Sequence, residues 1–252
     1  MIKRARKNQI SDVIERKLRL ADPWYQLIIK MLKSAIREFD GKRILEVGCG
    51  FGGFCVYVAK AGAKPIGLDV SSRAVRKAKK LAKQLGVQSQ VDFIIADTQL
   101  LPFKDQTNKI VVCSETLEHV PNYKKAFSEL VRVTSKSGYL CLTVPNLLST
   151  SFFEYIVLLL IGQPQYVKKQ AFLEKEHIFH IFKLRALLDR EDVRVIKIQS
   201  TDFLHLPPRV RKALKISQNL KIISNRIENY LEAHKSPLRL FGANIGVLAR
   251  KE

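Results

Sequence analysis

From Asp40 onward, short apolar runs alternate with stretches in which apolar residues recur every three or four positions. Residues 43–47, 64–68, 91–95, 110–113 and 138–144 form the short runs and predict buried strands. Between them, residues 52–61, 71–85 and 122–134 carry the helical period. The second of these helices is expected to be capped by Ser71 or Ser72 and closed by Gly86. This alternation predicts an α/β fold, a doubly wound and mostly parallel sheet with helices on both faces.

The flanks follow other patterns. Residues 10–39 read as helical, with Asp22 as N-cap and Pro23 at the first helical position. Leu27, Ile28, Met31, Leu32, Ala35 and Ile36 then repeat at helical spacing. Residues 146–180 leave the strand–helix rhythm, with an apolar run at 151–161 and a histidine-bearing segment behind Pro164. That run is too short to span a membrane and Glu154 interrupts it, so it reads as a core helix, with pocket lining or interfacial contact as alternatives. A helix at 184–190 and strands at 193–198 and 244–249 complete the reading. The expected organisation is an N-terminal helical extension, 1–40, and one main domain, 41–252.

Charge adds a second picture. Lys and Arg number 44 against 23 Asp and Glu, a formal net charge of +21. The excess peaks in residues 1–19, in residues 73–83, and at Arg209, Arg211, Lys212, Lys215 and Lys221. Such a surface attracts nucleic acid, acidic headgroups or an acidic protein, or it is simply a solvated basic face. A lysine-rich thermophile would carry the same excess. Cys49, Cys55, Cys113 and Cys141 form no CxxC pair and no zinc spacing, and read as reduced core residues. The first residues carry no apolar core of a secretory signal. A cytoplasmic protein with peripheral contact at an anionic membrane surface is therefore expected.

The chemistry concentrates after the first strand. Ile44-Leu-Glu-Val-Gly48-Cys-Gly50-Phe-Gly52-Gly53 joins strand to helix through glycines, which permit a sharp turn and close ligand approach. No Gly-Lys-Ser/Thr follows, so a P-loop is excluded, while this segment by itself leaves a nicotinamide site open. Further carboxylates stand at later strand ends: Asp69 in Ile66-Gly-Leu-Asp69-Val-Ser and Asp97 in Phe93-Ile-Ile-Ala-Asp97.

With these residues in order, the chain over residues 42–146 resembles class I S-adenosylmethionine-dependent methyltransferases. Glu46, Gly48, Gly50 and Gly52 match the family's E/D-x-G-x-G-x-G. Val112-Cys-Ser114-Glu-Thr-Leu-Glu118-His119-Val-Pro121 resembles the fourth motif of its small-molecule, quinone-biosynthesis-like branch (methyltransferase type 11). Arg132 through Asn146 resembles the fifth. The resemblance implies a seven-stranded Rossmann-like sheet and S-adenosyl-L-methionine as cofactor. It implies a cofactor set of Glu46, Gly48, Gly50, Gly52, Asp69, Val70, Asp97, Thr98 and Ser114, with Asp69 on the ribose and Asp97 on the adenine. It places an acceptor-side cap at 146–180. Two positions depart from the pattern: Asn108-Lys109 stands for the usual Phe-Asp, and Lys136-Ser137-Gly138 for Pro-Gly-Gly.

The resemblance also directs attention to bases. His119 follows the fourth strand, where the acceptor meets the methyl group in this fold, and His177 belongs to the cluster Glu174, Glu176, His177 and His180. Either histidine is a candidate to deprotonate or orient an acceptor. Packing or helix capping is the competing role for His119. The cluster's spacing makes a poor metal site, and no metal is expected. The expected function is methyl transfer to a small-molecule or lipid-like acceptor, with oxygen favoured over carbon or nitrogen. An RNA methyltransferase using the basic surface and a non-catalytic cofactor-binding partner protein are the alternatives.

Overall fold

The computed structural model describes residues 22–149, 177–203, 220–233 and 235–252. The first element is helix α1, Pro23–Ile36. It starts through Pro23 at its first position, and the Asp22 side chain forms no capping hydrogen bond, unlike the N-cap role expected of it. Then come β1 (Arg43–Val47), α2 (Gly53–Lys60), β2 (Lys64–Asp69), α3 (Ser72–Gln84), β3 (Asp92–Ile95) and β4 (Asn108–Ser114). Next are α4 (Tyr123–Val133), β5 (Thr134–Pro145), α5 (Ile181–Leu188), β6 (Val193–Thr201), α6 (Leu220–Ala233) and β7 (Asn244–Lys251). Ser71 is the cap of α3, its Oγ accepting the Ala74 amide at 3.2 Å, and Gly86 follows that helix at φ +70°.

The seven strands form one sheet in the order β3-β2-β1-β4-β5-β7-β6. Strands β1 to β5 pair in parallel, and β7 runs antiparallel to both β5 and β6. Alternation along the strands sorts side chains to two faces. Ile44, Ile110, Val112 and Cys141 join α1, α2 and α3 in one core layer. Leu45, Val47, Val111, Cys113, Leu140 and Leu142 join α4 and α5 in the other. This is the doubly wound α/β architecture expected from the periodicity.

Helix α1 buries Leu27, Ile28, Met31 and Leu32 against the sheet. Gly246 on β7 makes room for it: a Cβ there would stand 2.7 Å from Leu27 Cδ2. Strand β5 begins at Thr134, four residues ahead of the start expected from the sequence, because α4 runs directly into it. The apolar run 152–161, the carboxylates Glu174 and Glu176, and the cations 209–215 lie outside the described residues.

Candidate functional site

Because β3, β2, β1 and β4 are adjacent and parallel, their carboxyl ends lie along one edge. Ligands of open α/β sheets bind at such an edge. The chain leaves β1 through Gly48, Gly50 and Gly52, at φ +76°, +51° and +76°. That region is strained for residues with a Cβ. Gly48 and Cys49 both donate their amides to the Leu68 carbonyl, at 2.7 and 2.8 Å, tying the turn to β2. Two of the glycines answer packing needs. A Cβ on Gly48 would fall 2.2 Å from Thr116 Oγ1, and one on Gly52 would fall 2.7 Å from the Phe93 ring. Gly50 is different, for a Cβ there would meet nothing within 4 Å. Its turn opens outward.

Asp69 closes β2 and binds two amides. Its Oδ2 accepts from Gly50 at 2.9 Å and its Oδ1 from Ser71 at 2.8 Å. A carboxylate has about four lone-pair sites, so it keeps capacity for two hydroxyls of a vicinal diol. Val70 beside it is 70% exposed, an apolar side chain with no cover. At the end of β3, exposed Asp97 accepts the Gln99 amide at 2.8 Å, and buried Thr98 stands next to it.

The loop after β3 is fastened by a residue whose role the sequence left unread. Arg132 on α4 donates to the carbonyls of Leu101 and Phe103, at 3.1 and 2.8 Å, and to Asp105 at 2.7 Å. It also pairs with Glu129 at 2.6 Å, and Glu129 takes the Leu101 amide at 2.7 Å. The Arg132 hydrogen bond, more than any other influence, draws the Glu129 carboxyl below its ordinary range. An acid three residues ahead of an arginine on one helix was the signal available.

Glu46 lies behind the turn, 1% exposed, on the face that packs against α2. Its Oε2 accepts the Cys55 thiol at 2.9 Å, and its Oε1 is buried without a partner among the described residues. Burial pushes its pKa to about 8, against the lowering pull of the Cys55 hydrogen bond. It is therefore a neutral acid at pH 7. Cys55, expected to be a passive core residue, is its hydrogen-bond partner. All four cysteines are buried and free.

Strand β4 ends in Ser114, whose Oγ shares a hydrogen bond with Thr143 on β5 at 2.9 Å. Glu115 follows at φ +46°, and its Oε2 accepts from Asn244 of β7 at 2.9 Å. A 3-10 turn, Leu117–His119, comes next. The His119 side chain is 55% exposed, and its Nε2 stands 3.8 Å from Oε1 of buried Glu118. The His177 amide donates to the Glu118 carbonyl at 2.7 Å, and its Nε2 lies 3.0 Å from the Pro121 carbonyl. Its ring leans on Tyr123, centroids 4.7 Å apart. The two histidines, 58 positions apart in the sequence, thus reach the same part of the strand edge. His180 does not join them as a ligand. It caps α5, its Nδ1 accepting the Lys183 amide at 3.2 Å. Among the described residues no group of His, Cys, Asp and Glu has the makings of a metal site.

Comparison with known proteins identifies the family and the fold. A family model described as a methyltransferase domain matches residues 38–206. Norajmaline N-methyltransferase of Rauvolfia serpentina is 39% identical over 95 residues, covering 37% of this chain and 32% of that protein. A sterol 24-C-methyltransferase of Gibberella zeae is 32% identical over 121 residues, 46% and 32% of the two chains. The chloroplastic tocopherol O-methyltransferase of Arabidopsis thaliana is 35% identical over 120 residues, 44% and 34%. The chain thus spans about a third of the length of these curated relatives. Among solved structures, an S-adenosylmethionine-dependent methyltransferase of Thermotoga maritima superposes with a TM-score of 0.61 at 18% identity, covering 97% of each chain.

Proposed function

From the premise that the chain belongs to the methyltransferase-domain family, whose fold takes S-adenosylmethionine as cofactor, we propose that it methylates a small, lipid-like acceptor, at oxygen. One observation carries the reading: Glu46 near the end of β1, Asp69 at the end of β2 and Asp97 two residues beyond β3 gather at the carboxyl ends of three adjacent parallel strands, around a glycine turn open to solvent. The residues present fit the cofactor. Gly50 leaves a space that a Cβ would enter, and the unpaired Oε1 of Glu46 awaits a cationic partner.

In this reading Asp69 accepts from the ribose hydroxyls. Val70, Asp97 and Thr98 take the adenine, and Gly48, Gly50, Gly52 and Ser114 line the methionine side. When bound, S-adenosylmethionine supplies a methyl carbon activated by a sulfonium leaving group. The protein's part is alignment, exclusion of water and removal of one proton. His119, half exposed beside Glu118, is the first candidate to take the acceptor's proton, and His177 the second. A base at this position suits a hydroxyl acceptor, which is weakly nucleophilic until deprotonated. The related proteins named above methylate nitrogen, carbon and oxygen respectively, two of them on a sterol or a tocopherol. They support an apolar acceptor and leave the choice of oxygen to the histidines.

The test is transfer of labelled methyl groups into fractionated cell extract. Label in the lipid or small-molecule fraction, released by base if the product is a methyl ester or traced to oxygen by mass spectrometry if it is a methyl ether, is the expected result. Label in RNA or protein would overturn the acceptor class, and label on carbon or nitrogen would overturn the oxygen assignment.

A further inference from the structure

Helix α3 carries Arg73, Arg76, Lys77, Lys79, Lys80 and Lys83 and no acid. From residue 47 to residue 91 the chain holds eight Lys and Arg against a single acid, Asp69. At 3.6 residues per turn the six cations cover about 160° of the helix surface. All six are exposed. None forms an ion pair among the described residues, and Lys77 lies 4.4 Å above the half-exposed Phe51 ring.

This charge pattern works against the helix itself. Positions 73/76, 73/77, 76/79, 76/80, 77/80, 79/83 and 80/83 are like-charge neighbours at spacings of three or four, each destabilising. Arg73 in the first turn also opposes the helix dipole. A local rule broken without a compensating partner among the described residues points to a partner outside the fold.

We propose that α3 docks the protein on an anionic membrane surface. Phosphate-bearing headgroups complement the stripe, and each basic residue near such a surface adds attraction. The apolar face of α3, Ala74, Val75, Ala78 and Ala82, is already buried in the core. The helix cannot sink into acyl chains as an interfacial helix does, so the contact is electrostatic. The stripe also starts at the candidate site, since Asp69 holds the Ser71 amide at the head of α3. Docking there brings the site's edge to the headgroup layer, where a lipid-like acceptor resides. The choice of a membrane over another polyanion rests on the acceptor proposed above.

The test is cosedimentation of the full chain with vesicles of phosphatidylcholine alone or mixed with phosphatidylglycerol. Wild type should bind only the mixed vesicles, and molar salt should release it. The variant R76Q/K79Q/K80Q/K83Q should partition on the order of a thousandfold less at low salt. Its melting temperature should equal or exceed that of wild type, because repulsions are removed, which separates lost docking from lost folding. Equal binding to neutral vesicles overturns the proposal, as does undiminished binding by the variant. So does loss of binding on neutralising Arg209, Arg211, Lys212 and Lys215 instead, or salt-sensitive RNA binding without vesicle binding. Vesicle binding together with methyl label in RNA or protein would sink the acceptor reading and leave the docking surface standing.

Discussion

The Gly50 amide donates to Asp69 Oδ2 across 2.9 Å, so the turn after β1 and the end of β2 meet through one carboxylate. The other oxygen of that carboxylate holds the start of α3. A group that anchors three elements is a local brace, and in the proposed reading it also holds the ribose.

Asp69→Ala should therefore weaken S-adenosylmethionine binding by about 1.5–3 kcal/mol, the worth of hydrogen bonds to a charged group. Gly50→Ala should weaken it too. A Cβ at φ +51° costs about 1–2 kcal/mol of strain, and the added methyl projects into the space assigned to the cofactor. Calorimetric titration of both folded variants checks this, and wild-type affinity in either would displace the site.

Glu46 should couple cofactor binding to a proton. Its pKa of about 8 leaves it protonated at pH 7, and a cation arriving at its unpaired oxygen favours the ionised form. Binding at pH 7 should release up to one proton, seen as a dependence of the binding enthalpy on buffer ionisation heat. Glu46→Gln should abolish the release. The stability sign follows from the same shift. Between the ordinary 4.5 and about 8 the folded chain holds a proton that the unfolded chain has lost, so stability falls as pH rises through that window. The Gln variant should show a flatter profile there in thermal melts.

His119→Ala should lower turnover by ~100- to 10,000-fold if His119 is the general base, with cofactor affinity nearly unchanged. His177→Ala should do so if the role falls to it. Near-normal rates in both variants would leave catalysis to alignment and desolvation.

Glu232 on α6 ties three elements. It pairs with Lys30 of α1 at 2.8 Å, with Lys197 of β6, and with Gln199 of β6 at 2.9 Å. Burial alone would raise its carboxyl, but the hydrogen bonds and charges of Lys197 and Lys30 outweigh burial and hold it at about 2. This depressed value stabilises the fold above the ordinary 4.5 and is lost as pH falls toward 2. Glu232→Gln should cost about 1.5–3 kcal/mol at neutral pH and should lose less stability than wild type on acidification. Denaturant melts at pH 7 and pH 3 measure both.

Much of this arrangement was legible in the chain because it is encoded locally. Apolar runs of strand length alternating with helical periods were enough to place β1 to β5 and the helices among them, since burial on a sheet face or helix stripe depends on residues a few positions apart. The glycine turn and the carboxylates Asp69 and Asp97 at the ends of β2 and β3 could be read for the same reason. Backbone freedom and strand-end position are local properties.

What the sequence left unread lies in pairs far apart along it. Nothing near β7 marks it as antiparallel between β5 and β6, because an alternating strand pattern carries no direction. Cys55 as the partner of Glu46, Arg132 as the clasp of the loop after β3, and His177 brought against Glu118 and Pro121 all depend on which helix lies over which strand. Packing of the whole core settles that choice, since each buried contact must repay the chain entropy lost in forming it, and no single segment holds that sum. Residue types at strand ends therefore announced the kind of chemistry. The tertiary structure decided which carboxyl is neutral, which amides are held, and which two histidines share an edge.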